Sequence, residues 1–176
     1  MALWVFGYGS LLWDPGFEVA ESVRATLRGY HRSFCMLSIH HRGTQEEPGL
    51  VLALDEAEAQ CTGLALRVRD EQAEAVLASL RERELVSSAY LEKHVTLQAD
   101  DGRAIAAITY VIDPNHVQYC HFDLETQAQM IARAVGGRGP NTEYLYNTAQ
   151  LLADLEIPDA DMGWLVTRVQ QIAASS

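Results

Sequence analysis

Along the first two thirds of the chain, apolar residues come in short runs or alternate with polar ones. Along the last third they recur three and four apart. The opening run Leu3-Trp4-Val5-Phe6 is apolar throughout and meets Gly7 and Gly9 at once, which predicts a short buried strand over residues 3–8. Residues 23–28, 32–39 and 49–54 read as further strands, and 63–68 alternates well enough for another. Asp70 then offers a helix cap, with Glu71 and Glu74 in the first turn, where carboxylates complement the helix dipole. Behind it Ala73, Val76, Leu77 and Leu80 form an apolar stripe, and four residues further along that stripe stands Glu84. A carboxylate in that place is either a frayed helix end or a group aimed into a pocket.

Residues 90–97 and 105–112 read as paired strands, with Asp101-Gly102 as the hairpin signal between them. Asp123 offers a cap for a helix running to about Val135, stopped by Gly136-Gly137. Asn141 offers the next cap, with Tyr144, Leu145, Thr148, Leu152 and Leu155 on one face and Pro158 ending the region. A last helix carries Met162, Leu165, Val166 and Val169. Many short strands followed by packed helices predict an α+β fold with a small barrel or strongly curled sheet. With 176 residues and no repeat, low-complexity stretch or linker, residues 1–176 are expected to form a single domain. The pattern leaves the strand order open.

Composition narrows the function classes. A formal charge of −11 argues against a nucleic-acid partner, because phosphate binding needs clustered Lys and Arg, and against docking on an anionic membrane. Cys35, Cys61 and Cys120 are odd in number and not at CxxC spacing, which suits a reducing compartment and small buried side chains. The N-terminal stretch lacks a basic region and runs into glycines, unlike a signal peptide. No apolar run approaches the ~20 residues that span a bilayer. A cytoplasmic protein is expected.

Two segments are candidates for chemistry. In Phe6-Gly7-Tyr8-Gly9-Ser10-Leu11-Leu12-Trp13, glycines around a tyrosine let the backbone turn sharply and approach a ligand, and successive N–H groups in such a turn suit a carboxylate. A plain β-turn fits the same spacing. Leu12 stands where a dinucleotide fingerprint needs glycine, no Gly-Lys-Ser/Thr follows, and Tyr8 and Leu12 break a Gly-x-Ser-x-Gly elbow. In Arg81-Glu82-Arg83-Glu84, Glu82 leaves the apolar stripe and fits a solvated helix end, whereas Glu84 continues the stripe. A carboxylate among apolar neighbours can shuttle a proton near neutral pH. His31, His40, His41, His94, His116 and His121 show no metal-ligand spacing, so no metal is expected, and no Ser–His–Asp set stands out. Glu46-Glu47 and Asp100-Asp101 fall in turn-like, solvated segments.

Taken in order, four segments resemble the ChaC family of glutathione-specific γ-glutamyl cyclotransferases. The Phe6–Trp13 run is similar to that family's YGSL opening. His41-Arg42-Gly43 with Pro48-Gly49 is similar to its HRG…PG stretch, Arg83-Glu84 with Tyr90 to its RE…Y segment, and Gly139-Pro140-Asn141-Thr142-Glu143-Tyr144-Leu145 to its G-x-NTEYL signature. The likeness runs from Trp4 to about Leu155. Leu85–Ala89 departs from members with Gly-Gly there and is more like bacterial members, so the register decides between Glu84 and Glu82. Stripe position and the adjacent Arg83 favour Glu84. The resemblance implies a small β-barrel flanked by helices, and an enzyme, a carbon–nitrogen lyase, that cleaves glutathione to 5-oxoproline and cysteinylglycine without metal or organic cofactor. It implies Glu84 as base and acid, and substrate contacts from Gly7, Tyr8, Gly9, Ser10, Leu11, Leu12, Arg42, Tyr90 and Tyr144. Arg42 would steady a carboxylate or pair with an acid; each tyrosine would line the pocket or pack in the core. Other outcomes are a cyclotransferase for another γ-glutamyl compound, or a non-enzymatic regulator or metabolite-binding protein. A small-molecule substrate and a monomer are expected.

Overall fold

The structure, a computed structural model, describes residues 2–85 and 89–175. Residues 86–88, inside the Arg81–Tyr90 segment, lie outside the described residues. The elements in chain order are β1 (Trp4–Gly7), a single helical turn α1 (Ser10–Trp13), β2 (Val19–Ser38), β3 (Gly49–Val68), α2 (Ala73–Leu85), β4 (Tyr90–Ala99), β5 (Ala104–Ile112), α3 (Leu124–Arg133), β6 (Val135–Gly136), β7 (Gly139–Pro140), α4 (Asn141–Asp154) and α5 (Ala160–Ala174). Among the described residues no helix is long and apolar enough to cross a membrane.

The α+β expectation holds: five strands close into a barrel in the order β1-β3-β2-β4-β5. β1 runs antiparallel to β3, with Phe6 opposite Ala65, and parallel to β5, with Val5 opposite Ile108. β4 and β5 form the expected hairpin, pairing Tyr90 with Ile112 through to Gln98 with Ala104, and Gly102 takes φ of 95° at its tip. Closure gives each of the five barrel strands two neighbours and leaves the barrel no edge to pair wrongly.

The four separate strands expected between residues 23 and 68 are two strands of 20 residues each. At the first presumed break, Gly29 adopts φ of 93° and the strand passes through a local distortion without turning back. At the second, residues 55–60 are polar because they are strand exposed to solvent, not because they are loop.

The chain divides into two compact units, residues 1–33 with 53–116, and residues 34–52 with 117–176. In the first, Val5, Leu11, Val68, Val76, Leu80, Ile108 and Tyr110 form a buried cluster, against which Phe17, Leu77, Leu85 and Tyr90 pack. The predicted stripe of α2 therefore faces this cluster through Val76 and Leu80, each burial worth about 1.5–3 kcal/mol. Asp70 does not cap α2. It opens a short 3-10 turn, Asp70–Gln72, and pairs with Arg67 at 3.6 Å, which leaves the helix proper to start at Ala73.

In the second unit α3, α4 and α5 pack together, burying Ile131, Leu145, Leu152, Leu165 and Val169. Asp123 caps α3 as expected, its Oδ1 accepting from Thr126 N–H at 2.8 Å. α3 stops at Arg133, before the glycines, and Gly136 has another purpose. A Cβ there would run into the backbone of His41, Arg42 and Gly43. Asn141 is the first residue of α4 rather than its cap, and its side chain bonds elsewhere.

Candidate active site

The glycine loop and the end of α2 meet in the first unit. β1 ends at Gly7, Tyr8 and Gly9 turn the chain, and Ser10–Trp13 makes one helical turn, with Leu12 N–H donating to Gly9 O at 2.9 Å and Asp14 N–H to Ser10 O at 2.7 Å. This is tighter than the plain β-turn that the spacing also allowed. Leu11 and Leu12 are buried, and Leu11 belongs to the core cluster, so the apolar half of the loop anchors it. Tyr8 is buried too, and its hydroxyl donates to Tyr110 O at 2.8 Å. Beneath the loop, the buried Arg32 on β2 donates from Nε to Tyr8 O at 2.7 Å and from Nη2 to Thr62 O. A buried guanidinium is costly unless hydrogen-bonded, and here it fixes the direction of a loop carbonyl.

From the α2 side, Arg83 reaches across. Its Nη2 donates to Ser10 Oγ at 3.1 Å and its Nη1 to Asp14 O at 2.9 Å. Its Nε lies 3.4 Å from Glu84 Oε1. The Glu84 side chain is 14% exposed, whereas Glu82 faces solvent. The extended stripe thus carries Glu84 inward, to within one guanidinium of the loop.

A second carboxylate stands nearby. Glu92, two residues beyond Tyr90 on β4, accepts from Arg81 Nε and Nη2 at 3.1 and 3.0 Å and from Tyr110 Oη at 2.9 Å. The Arg81 bonds hold the Glu92 carboxyl below the usual glutamate range, against the opposing effect of burial. Burial and the Glu92 bond push the Tyr110 hydroxyl up, and the negative charge of Glu84 adds to that shift. Tyr110 is thus a residue on which both carboxylates act, while its main chain holds Tyr8. Tyr90 packs on the core cluster.

Arg42 and Tyr144 belong to the second unit, in a closely knit joint. Arg42 is buried; its Nη1 donates to Pro140 O at 3.0 Å and lies 3.3 Å from Glu143 Oε1, and its guanidinium stands 5.9 Å from the Tyr144 ring centre. Tyr144 Oη accepts from Leu52 N–H at 3.1 Å. Asn141, fully buried, accepts from Leu50 N–H at 2.8 Å and donates to Leu50 O at 2.9 Å, completing the hydrogen bonds of that strand residue. A Cβ on Gly49 would collide with the Arg42 carbonyl. The HRG…PG and G-x-NTEYL segments therefore interlock with each other, while the glycine loop and Arg83-Glu84 do so separately. Arg42 has the acid and Tyr144 the satisfied hydroxyl that the sequence reading set beside their pocket roles.

Sequence reasoning passed over Arg32, Arg81, Glu92 and Tyr110. Only Glu92 left a signal, its two-residue spacing from Tyr90, which puts both on one side of a strand. The cysteines are buried, and burial pushes the Cys120 thiol up to about 11. Among the described residues no three His, Cys, Asp or Glu side chains cluster to hold a metal ion.

A family model described as "ChaC-like protein" matches residues 3–172. The glutathione-specific γ-glutamylcyclotransferase of Escherichia coli (strain K12) is 39% identical over 178 residues, covering 99% of this chain and 75% of the relative. The glutathione-specific γ-glutamylcyclotransferase 1 of Rattus norvegicus is 38% identical over 155 residues, covering 86% of this chain and 70% of the relative. Among solved structures, a yeast γ-glutamyl cyclotransferase specific to glutathione superposes with a TM-score of 0.87 at 22% identity, covering 97% of this chain and 96% of that one. That superposition bears on the fold.

Proposed function

The chain belongs to the ChaC family, and from that premise we propose that it is a γ-glutamylcyclotransferase that cleaves glutathione to 5-oxo-L-proline and L-cysteinylglycine, with Glu84 as base and then acid. The observation that supports this reading is the inward Glu84 carboxylate, joined through Arg83 to Ser10 of the glycine loop.

The nucleophile is the substrate's own α-amine, so the protein supplies no serine or cysteine nucleophile. Glu84 takes a proton from the ammonium, which frees the nitrogen lone pair to attack the γ-carbonyl carbon. A new C–N bond closes the five-membered ring. The amide bond to cysteine breaks as Glu84 passes the proton from the ammonium to the departing nitrogen. The second proton, shed by the attacking nitrogen as it becomes the lactam N–H, follows by the same carboxylate, and cysteinylglycine leaves as its ammonium form. Atoms and charge balance without water, metal or redox partner. General acid–base help of this type is worth about 10²–10⁴-fold. Backbone N–H groups of the Gly7–Leu12 loop receive the α-carboxylate or the developing oxyanion, with Gly9, Ser10 and Leu11 best placed, since Leu12 N–H serves the turn itself. Holding the amine against the carbonyl contributes up to roughly 7–11 kcal/mol in well-oriented intramolecular reactions. Tyr8 and Tyr90 back the site from the core side, Tyr8 through its hydroxyl bond to Tyr110 O and Tyr90 through the cluster that seats α2. Arg42 and Tyr144 contribute by holding the second unit's frame. We read the enzyme as a metal-independent monomer, and as cytoplasmic because its substrate is the thiol of a reducing compartment.

The test is 5-oxoproline release from purified protein with millimolar glutathione, with and without chelator, beside Glu84→Gln. Release that survives chelation and disappears in the variant is expected. Parallel assays with γ-glutamylalanine and a γ-glutamylamine check the substrate. Turnover of one of these without turnover of glutathione gives the reaction a different substrate; no turnover of any leaves the binding-protein reading.

A further inference from the structure

We propose that Arg83 is the positioning residue of this site: one guanidinium sets the distance between the acid and the substrate loop. The proposal rests on the cyclotransferase reading above. Three different nitrogens of the side chain face three different residues. Nη2 donates to Ser10 Oγ, Nη1 donates to Asp14 O, and Nε faces Glu84 Oε1 at 3.4 Å. Ser10 and Asp14 bracket the helical turn α1, so Arg83 grips both of its ends and the acid at once.

Apolar packing of Leu11 and Phe17 with Val76 and Leu80 brings α1 and α2 together, and Arg83 adds the directional contacts. Between α2 and residues 15–18, which follow α1, lies a cavity of about 360 Å³, lined by Pro15, Phe17, Val76, Leu80 and Arg83 among others. Beside that cavity, the bond from Arg83 to Asp14 O adds to the packing of Phe17 in holding the chain that leaves α1 against the helix. Gly16 takes φ of 76°, which favours glycine, and a Cβ on it would stand 3.3 Å from Arg83 Nη1, a tight contact that a small shift of the guanidinium relieves. The Arg83 side chain is 23% exposed; its bond to Ser10 Oγ is partly shielded from water and its bond to Asp14 O is exposed.

The geometry also bears on Ser10. Its hydroxyl oxygen accepts from a cation, an arrangement that suits a tether and not a nucleophile, which needs a base beside it. A lysine could reach one of the three acceptors but not all, because its ammonium is a single point on a flexible stem. The substrate's amine and carboxylate are to be held on two elements, α2 and the glycine loop. Small errors between those elements therefore translate into lost attack geometry, and a misplacement of about 1 Å can cost about 10²-fold.

The experiment compares wild type, Arg83→Lys, Arg83→Gln, Ser10→Ala and the Arg83→Gln/Ser10→Ala pair by steady-state kinetics and by amide hydrogen exchange. Expected are a loss of about 10–100-fold in kcat/KM for both Arg83 variants, mostly in kcat. The double variant should lose no more than Arg83→Gln by itself, since both substitutions cut the same link. Exchange at the Leu12 and Asp14 amides, which close α1, should quicken while the β4–β5 hairpin keeps its protection. Additive losses, near-normal turnover in Arg83→Lys, or unchanged α1 exchange would overturn the proposal. Should wild type leave glutathione intact, the cyclotransferase reading falls. The exchange arm then still decides whether Arg83 holds α1.

Discussion

At the scale of single residues, the site turns on which of two nearby glutamates points inward. Glu84 is 14% exposed and beside Arg83, while Glu82 faces solvent two positions away, a half-turn round the helix. Glu84→Gln keeps shape and hydrogen bonding but cannot carry the proton, so turnover should fall by about 10²-fold or more with the melting temperature nearly unchanged. Glu82→Gln should keep turnover within a factor of two; the opposite pattern in the same assay would move the acid to Glu82. Asn141 makes a different case. Its residue type predicts a helix cap, yet both ends of its amide are bonded to Leu50, which is fully buried. Asn141→Ala strips two buried backbone groups of their side-chain partner and should cost about 2–4 kcal/mol of stability, measured by urea unfolding. Nothing in residue type distinguishes a capping asparagine from one that serves a strand 91 positions earlier.

At the scale of elements, α2 is the piece that turns packing into chemistry. Its Val76 and Leu80 seat on the barrel cluster, and that seating aims Glu84 and Arg83. Leu80→Ala should destabilise by about 2–5 kcal/mol and also lower kcat, because α2 can settle into the space left behind and carry the acid with it. An unchanged kcat in a measurably destabilised variant would separate helix seating from acid placement. Periodicity made this element legible, since a 3.6-residue repeat is a property of the helix itself. The long strands β2 and β3 were less legible. A polar stretch such as residues 55–60 reads as loop unless one knows that this part of the strand is solvated. The turn α1 went unrecognised because four residues are too few for a periodic signal.

At the scale of the whole molecule, a charge of −11 sits on a surface where several carboxylates have cationic or N–H partners. Arg81 lowers Glu92, Arg103 lowers Asp101, the Thr126 N–H lowers Asp123 and Arg168 lowers Glu125. Each is depressed in the folded state, so the unfolded chain binds the proton more readily. Their contribution is complete above the ordinary carboxylate range and is lost as pH falls through the depressed values. The melting temperature should therefore be level from about pH 7 to 5 and drop below about pH 4. For Glu92→Gln the gap to wild type should close in that acid range, and a gap that stays constant from pH 7 to 3 would remove Glu92 from this account.

The chain's own pattern determined β1, the β4–β5 hairpin at Asp101-Gly102, the four long helices α2 to α5, the inward stripe of α2 and the four family segments. All of these are written in residues close together in sequence, where backbone geometry imposes its period. Only the tertiary structure decided that the strands close as β1-β3-β2-β4-β5, that Gly136 and Gly49 are close-approach points, and that Arg83 joins Ser10 across 73 positions. Those outcomes depend on which distant surfaces bury each other and which backbone groups then need partners, and no local repeat encodes that.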